Sequence, residues 1–268
     1  FYSLIGLIVS LSDRWLLQLY GGSIQQGFFE LSLQIGMVCF LFTNASTQLI
    51  TREFSIAFKK DNLVEMKNIF RRYIPLLFSI SAFLSCFIVV NADFVTYIFG
   101  GSQFSSATVP IAIMAFYPIH QTYGQLSGAV FYAIGNTKLY SKIGLIFMLI
   151  GLPTSYFMIA PTNLLGLNAG ATGLAIKFVV IQFIVVNVML YFNSKFLKLN
   201  FIKYLSHQII IVIYLILLSL FSKIIINNLM FFGEDSIIRF LCSGVLYSTI
   251  VFISIYFFPI LFGLNKID

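Results

Sequence analysis

The feature that most constrains this chain is the continuity of its apolar residues. Eight stretches are apolar enough and long enough to matter: 1–20, 25–50, 73–91, 108–134, 139–160, 169–192, 205–228 and 237–263. A helix crossing the ~30 Å hydrocarbon core of a bilayer needs about 20 such residues. The runs are continuous rather than alternating, which favours helices over barrel strands. Only 9% of the 268 residues are charged, against about 25% in soluble domains. Mean hydropathy is +0.97, so the chain cannot clothe itself in a water-compatible surface. The expected fold is an all-α integral membrane bundle of about eight transmembrane helices. The chain opens at Phe1 inside an apolar run with no charged leader, and it reads as the C-terminal part of a longer membrane protein.

The net charge of +7 is resolved by counting loops. Residues 51–72 carry Arg52, Lys59, Lys60, Lys67, Arg71 and Arg72. Two connections later come Lys138 and Lys142, then Lys195, Lys198 and Lys203, then Lys266 in the tail. Twelve of the sixteen basic residues thus fall on one side. The opposite connections, 21–24, 92–107, 161–168 and 229–236, hold none, although Lys223 and Arg239 flank the last. The excess of lysine and arginine marks the basic side as cytoplasmic and places both ends of the chain there. Nucleic-acid binding gains no support, because the basic residues sit where topology requires them. Leu63, Met66, Ile69 and Phe70 give the 51–72 segment one apolar face, as in an interfacial amphipathic helix.

Polar residues within the apolar runs carry the functional information, since they are costly toward lipid and turn to other helices or to a wet cavity. Gln26, Glu30, Gln34, Asn44, Gln48 and Arg52 fall within about an 80° arc of one ideal helix, with Met37 and Leu41 between them. Either they hydrogen-bond between helices or they line a cavity. Lys177 lies inside "GATGLAIKFVVIQFIVV", on a face with Gly170, Gly173, Ile181 and Ile184. Three readings stay open for it: snorkelling, an internal ion pair, or a cavity cation for an anionic ligand. Asp13 and Arg14 are adjacent and point about 100° apart, so each needs a partner on another helix or the interface. In the fourth run, His120, Gln121, Gly124, Gln125 and Gly128 share a broad face between Pro118 and Gly135. Such a helix suits a moving part or a packing seam.

No phosphate loop, Ser/His/Asp set or metal-ligand spacing is present in the sequence, and Cys39, Cys86 and Cys242 all lie in apolar runs. No enzyme activity, cofactor or metal is expected.

The run "SDRWLLQLYGGSIQQGFFELSLQI", the segment containing "HQTYGQLSGA" and "AIGNTK", and the glycine-rich entry "LNAGATGLA" together resemble polysaccharide-unit flippases. These are the O-antigen translocase (Wzx) type within the multidrug/oligosaccharidyl-lipid/polysaccharide exporter superfamily. The resemblance implies two six-helix bundles around a central cavity. Residues 1–193 would be the second bundle, 194–268 an additional helix pair and tail, and the first bundle would lie outside this chain. It implies a bacterial inner-membrane transporter that moves isoprenoid-diphosphate-linked oligosaccharides to the outer leaflet by alternating access. Its partners would be that lipid-linked substrate, membrane lipids, and the polysaccharide polymerase and chain-length machinery. The cavities of the family are cationic, so the resemblance assigns Lys177 and Arg14 to the anionic headgroup. Glu30, Gln34, Asn44, Gln48, His120, Gln121 and Gln125 complete the candidate cavity set. Two alternatives compete: a drug or cation antiporter of the same superfamily, for which Asp13 and Glu30 are the acidic candidates, and a non-transporting subunit of a polysaccharide assembly complex.

Overall fold

A computed structural model describes residues 2–229 and 236–264. Every regular element among them is helical: α1 (Tyr2–Val38), α2 (Leu41–Lys59), α3 (Leu63–Val90), α4 (Ala92–Gly100), α5 (Thr108–Met114), α6 (Tyr117–Ala133), α7 (Thr137–Ile159), α8 (Gly170–Phe196), α9 (Phe201–Asn228) and α10 (Ser236–Phe257), with short 3-10 turns between and after them. Five helices are long and apolar enough to cross a membrane, and six are if the bent pair α1–α2 counts as one span. Large apolar side chains face outward along them: Ile209, Ile213, Leu217 and Ile224 of α9 are each about half exposed or more, and so are Leu241, Val245 and Phe252 of α10. A contiguous apolar surface of this extent needs lipid around it. The chain is a multi-pass all-α membrane protein.

The elements depart from the eight expected runs where particular residues interrupt the backbone ladder. Gly22 is the one non-helical residue within α1, at φ 71° and ψ −176°, a conformation open mainly to glycine. Arg14 and Glu30 lie on either side of it and form an ion pair at 3.1 Å. Sixteen residues of straight helix would hold them about 24 Å apart, so the chain turns sharply back at Gly22. The expected run 25–50 breaks at Cys39–Phe40, where the N–H groups donate to Gly36 and Met37, three residues back. Beyond that break α2 is bent by 55° and continues to Lys59. The 80° arc drawn through one straight helix therefore spans a bend. The expected run 108–134 divides at Ala115–Phe116, because Pro118 has no N–H to give the Met114 carbonyl. That carbonyl instead faces α1 at Gly36, where an added Cβ would stand 3.0 Å from it.

The long basic loop expected at 51–72 is mostly helix as well. Only residues 60–62 separate α2 from α3, and Asn62 caps α3 by accepting from the Glu65 N–H at 2.9 Å. Met66, Ile69 and Phe70 are buried in the core as the first turns of a spanning helix, while Leu63 is 42% exposed. The connection 92–107 is helical too, as α4 and a 3-10 turn. Parts of the expected 229–236 connection, and the tail with Lys266, lie outside the described residues.

The main core lies where α2, α3, α6, α8 and α9 meet, around Phe54, Phe70, Phe78, Tyr123 and Leu190. A second, around Leu17, Phe29, Ile111 and Leu174, joins α1, α5 and α8. The final helices dock on the far side of the first core. Tyr247 stacks on Phe83 at 5.0 Å and donates its hydroxyl to the Phe83 carbonyl at 3.0 Å. Gln208 of α9 donates to Asn187 of α8 at 3.0 Å. This arrangement leaves α1, α2, α6, α7 and α8 to frame the opposite side.

The start of α8 shows how that frame is fixed. Its N-cap, Ala169, has no side-chain hydrogen bond to give. The carboxamide Oε1 of Gln25, across the Gly22 turn, accepts from the Ala171 N–H at 2.9 Å instead. Gln25→Ala is expected to leave that N–H unsatisfied and to cost about 1 kcal/mol, read as a lower unfolding midpoint in detergent. An unchanged midpoint would show that the N–H has another acceptor.

Candidate functional site

Lys177 projects from the third turn of α8 toward α1 and α7. The residue is 5% exposed, and its Nζ donates to Asp13 Oδ2 at 2.6 Å. The other carboxylate oxygen, Oδ1, accepts from Ser155 Oγ of α7 at 2.5 Å. Asp13 is 2% exposed. The lysine ammonium also lies 4.6 Å from the centre of the Phe178 ring, a cation–π approach. Its stem crosses α7 at Gly151, where an added Cβ would stand 3.3 Å from Lys177 Cε. Three helices thus converge on one ion pair, and of the readings open for Lys177 the geometry selects the internal pair.

The pair borders a cavity of about 300 Å³ lined by Asp13, Lys177, Tyr2, Tyr117, Gln182 and small or apolar residues of α1, α7 and α8. A second cavity of about 470 Å³ adjoins it, and Tyr2, Tyr117, Gln182 and Val185 line both. Gln121, Gly124, Gln125 and Gly128 form its α6 wall, with Thr47 and Thr51 from α2 and Tyr132 and Tyr140 beyond. The two form one cleft, carrying a buried ion pair at one end and amides and phenols at the other. The missing side chains at Gly124 and Gly128 keep its wall open and let α8 approach closely, since an added Cβ on Gly124 would meet Val186 Cγ1 at 2.7 Å.

The remaining candidates take other places. Gln125 donates to Asn44 at 3.2 Å, linking the cleft wall to α2. Gln34, Asn44 and Gln48 are exposed, as are Met37 and Leu41, on one flank of α1 and α2. Arg14 and Glu30 pair with each other, half exposed, apart from the residues that line the cleft. His120 packs its ring on Phe183 at 4.9 Å and lines neither cavity. Ile184, expected on the lysine face, is 43% exposed, away from the pair.

Gln182, Tyr2 and Tyr117 line the cleft and Ser155 bonds Asp13 beside it, and none of the four stands among the residues that the sequence singles out. Gln182 hydrogen-bonds Gln121 across the cleft. It stands about 140° around α8 from Lys177, so a search confined to one helical face passes it by. It is nonetheless the polar interruption in "VVIQFIVV", and polarity alone could have flagged it. Compared with known proteins, the chain matches no family, no curated protein and no solved structure.

Proposed function

We propose that this chain is part of a flippase for isoprenoid-diphosphate-linked oligosaccharides, acting by alternating access in a bacterial inner membrane with a further helical bundle facing its cleft. The observation that carries this reading is the two-part polar cleft. At one end Lys177, held by Asp13, is the cation that a diphosphate would have to draw from its partner. Amides and tyrosines at the other offer the hydrogen bonds and ring faces that sugars use. Such a headgroup cannot cross hydrocarbon unaided, and a polar path between helices removes that barrier. Arg14, Gln34, Asn44 and Gln48 would then face the opposing bundle.

The test follows the movement of an isoprenyl-diphosphate oligosaccharide between the leaflets of sealed vesicles. Wild type is expected to move it. Asp13→Asn/Lys177→Gln, which removes both charges together, is expected to slow transport at least ~10-fold, the scale of one lost charge-assisted contact. No movement by folded wild type would overturn the reading. Asp13 favours a second reading, a cation antiporter, because a buried carboxylate beside a cavity is also a cation ligand. Under that reading wild type would export organic cations and leave the lipid unmoved, and the double variant would fail with the cations.

A further inference from the structure

Two features of the ion pair do not follow from a role in anion binding alone. The lysine is already neutralised by Asp13, and both partners are almost wholly buried. An anion entering the 300 Å³ cavity must compete with the Asp13 carboxylate for the same ammonium. When it wins, the carboxylate is left without a cation at 2% exposure. An isolated buried carboxylate is far costlier than a neutral carboxyl, so such a group takes a proton.

We propose that Asp13 is a proton-binding site coupled to anion binding at Lys177: each anion that captures the ammonium causes one proton to bind Asp13. This inference rests on the anionic-substrate reading above. The proton comes from bulk water. It forms an O–H bond at Oδ2, the oxygen that Lys177 vacates, while Oδ1 keeps the Ser155 hydrogen bond. No cation is expelled, so the site goes from one lysine and one carboxylate to one lysine, one anion and one neutral carboxyl. Anion and proton are therefore taken up together.

The surroundings leave Asp13 as the group that responds. The other titratable side chains lining the cavity are Tyr2 and Tyr117, phenols that stay neutral near neutral pH. From α7 the cavity meets Gly144, Phe147, Met148 and Gly151, and Ser155 bonds Asp13 directly. Lys138 and Lys142 belong to the first turns of α7, more than ten residues before Ser155, and neither lines this cavity. α5 contains no titratable residue. Arg14, next in sequence, is turned to Glu30, and His120 of α6 faces Phe183. On α8 the other cation is Lys195, eighteen residues beyond Lys177.

The experiment uses the purified protein in lipid nanodiscs and farnesyl diphosphate as the probe. Binding is followed by calorimetry near neutral pH in buffers of different ionisation enthalpy, which yields protons taken up per probe bound. Wild type is expected to take up about one proton more than the Asp13→Asn variant, which should bind the probe roughly tenfold more tightly because its competitor is gone, within the usual range of coupling between sites. If the single variant does not fold, wild-type affinity is read against pH instead: uptake of one proton per probe weakens binding roughly tenfold for each pH unit above neutrality, and a flat profile would overturn the inference. Binding by wild type with no excess proton would overturn this inference and leave the flippase reading standing. No binding by folded wild type would overturn both.

Discussion

Replacing Lys177 by alanine is expected to lower the stability of the protein by about 3–5 kcal/mol, while Asp13→Asn/Lys177→Met recovers most of that loss. Asp13 and Lys177 are 2% and 5% exposed, and their attraction offsets the large cost of taking two charges from water. Removing one partner keeps the desolvation cost of the other and discards the attraction, which is why broken buried pairs lose several kcal/mol. Removing both leaves two neutral side chains of similar shape, and the carboxamide that replaces the Asp13 carboxylate can still accept from Ser155. Denaturation in detergent, followed by helical circular dichroism, checks the pattern. A single variant as stable as the double would mean that Asp13 finds water or another donor at once. The pattern also governs how transport is read: a dead Lys177→Ala reports folding and function together, whereas the double variant separates them.

Much of this site was within reach of the sequence, and the reason is depth. Asp13 lies eight residues before the Gly21–Gly22 turn, and Lys177 lies seven residues after the start of α8 at Gly170. At 1.5 Å per residue both stand roughly 11 Å below the same membrane face. Two opposite charges at one depth, each costly alone, are a pairing signal. The sequence does not say which helices are neighbours, so the same lysine could equally have faced an open cavity. Gln121, Gly124, Gln125 and Gly128 show the complementary case. They share a face in the sequence, and the structure puts all four on the cleft wall. His120 belongs to that face by angle, yet it turns to Phe183 because α8 packs against its flank of α6. The breaks at Cys39–Phe40 and Ala115–Phe116 were the least legible. Hydropathy continues unbroken through both, and hydropathy is blind to where a backbone hydrogen bond is lost. Pro118 was the one local sign of the second break. The end of α2 and the start of α3 are hidden in the sequence for a related reason. Basic residues near a membrane face look like loop, although lysine and arginine are good helix formers and their long stems reach water from a helix.

Gly124→Leu is expected to be the most disruptive substitution on the cleft wall, with Val186→Ala restoring much of what it loses. α6 and α8 pack on each other more extensively than any other pair of elements among the described residues, and Gly124 marks a close approach between them. A Cβ there would meet Val186 Cγ1 at 2.7 Å and Gln182 Nε2 at 3.1 Å. Val186 is fully buried and β-branched, so it has little rotamer freedom with which to yield. Overpacking of this kind costs about 1–3 kcal/mol. Here it would also push α8 from α6 and disturb the Gln121–Gln182 contact that crosses the cleft. Val186→Ala removes the two methyl groups that the leucine needs to displace. A double-mutant cycle on unfolding in detergent should therefore give a favourable coupling of about 1 kcal/mol or more, as expected for residues in direct contact. Additive effects would show that the helices separate freely at this point. In that case close packing at Gly124 would not be what sets the width of the cleft, and its wall would have to be held instead by the polar contacts of Gln125 with Asn44 and of Asn193 with the Ser127 carbonyl.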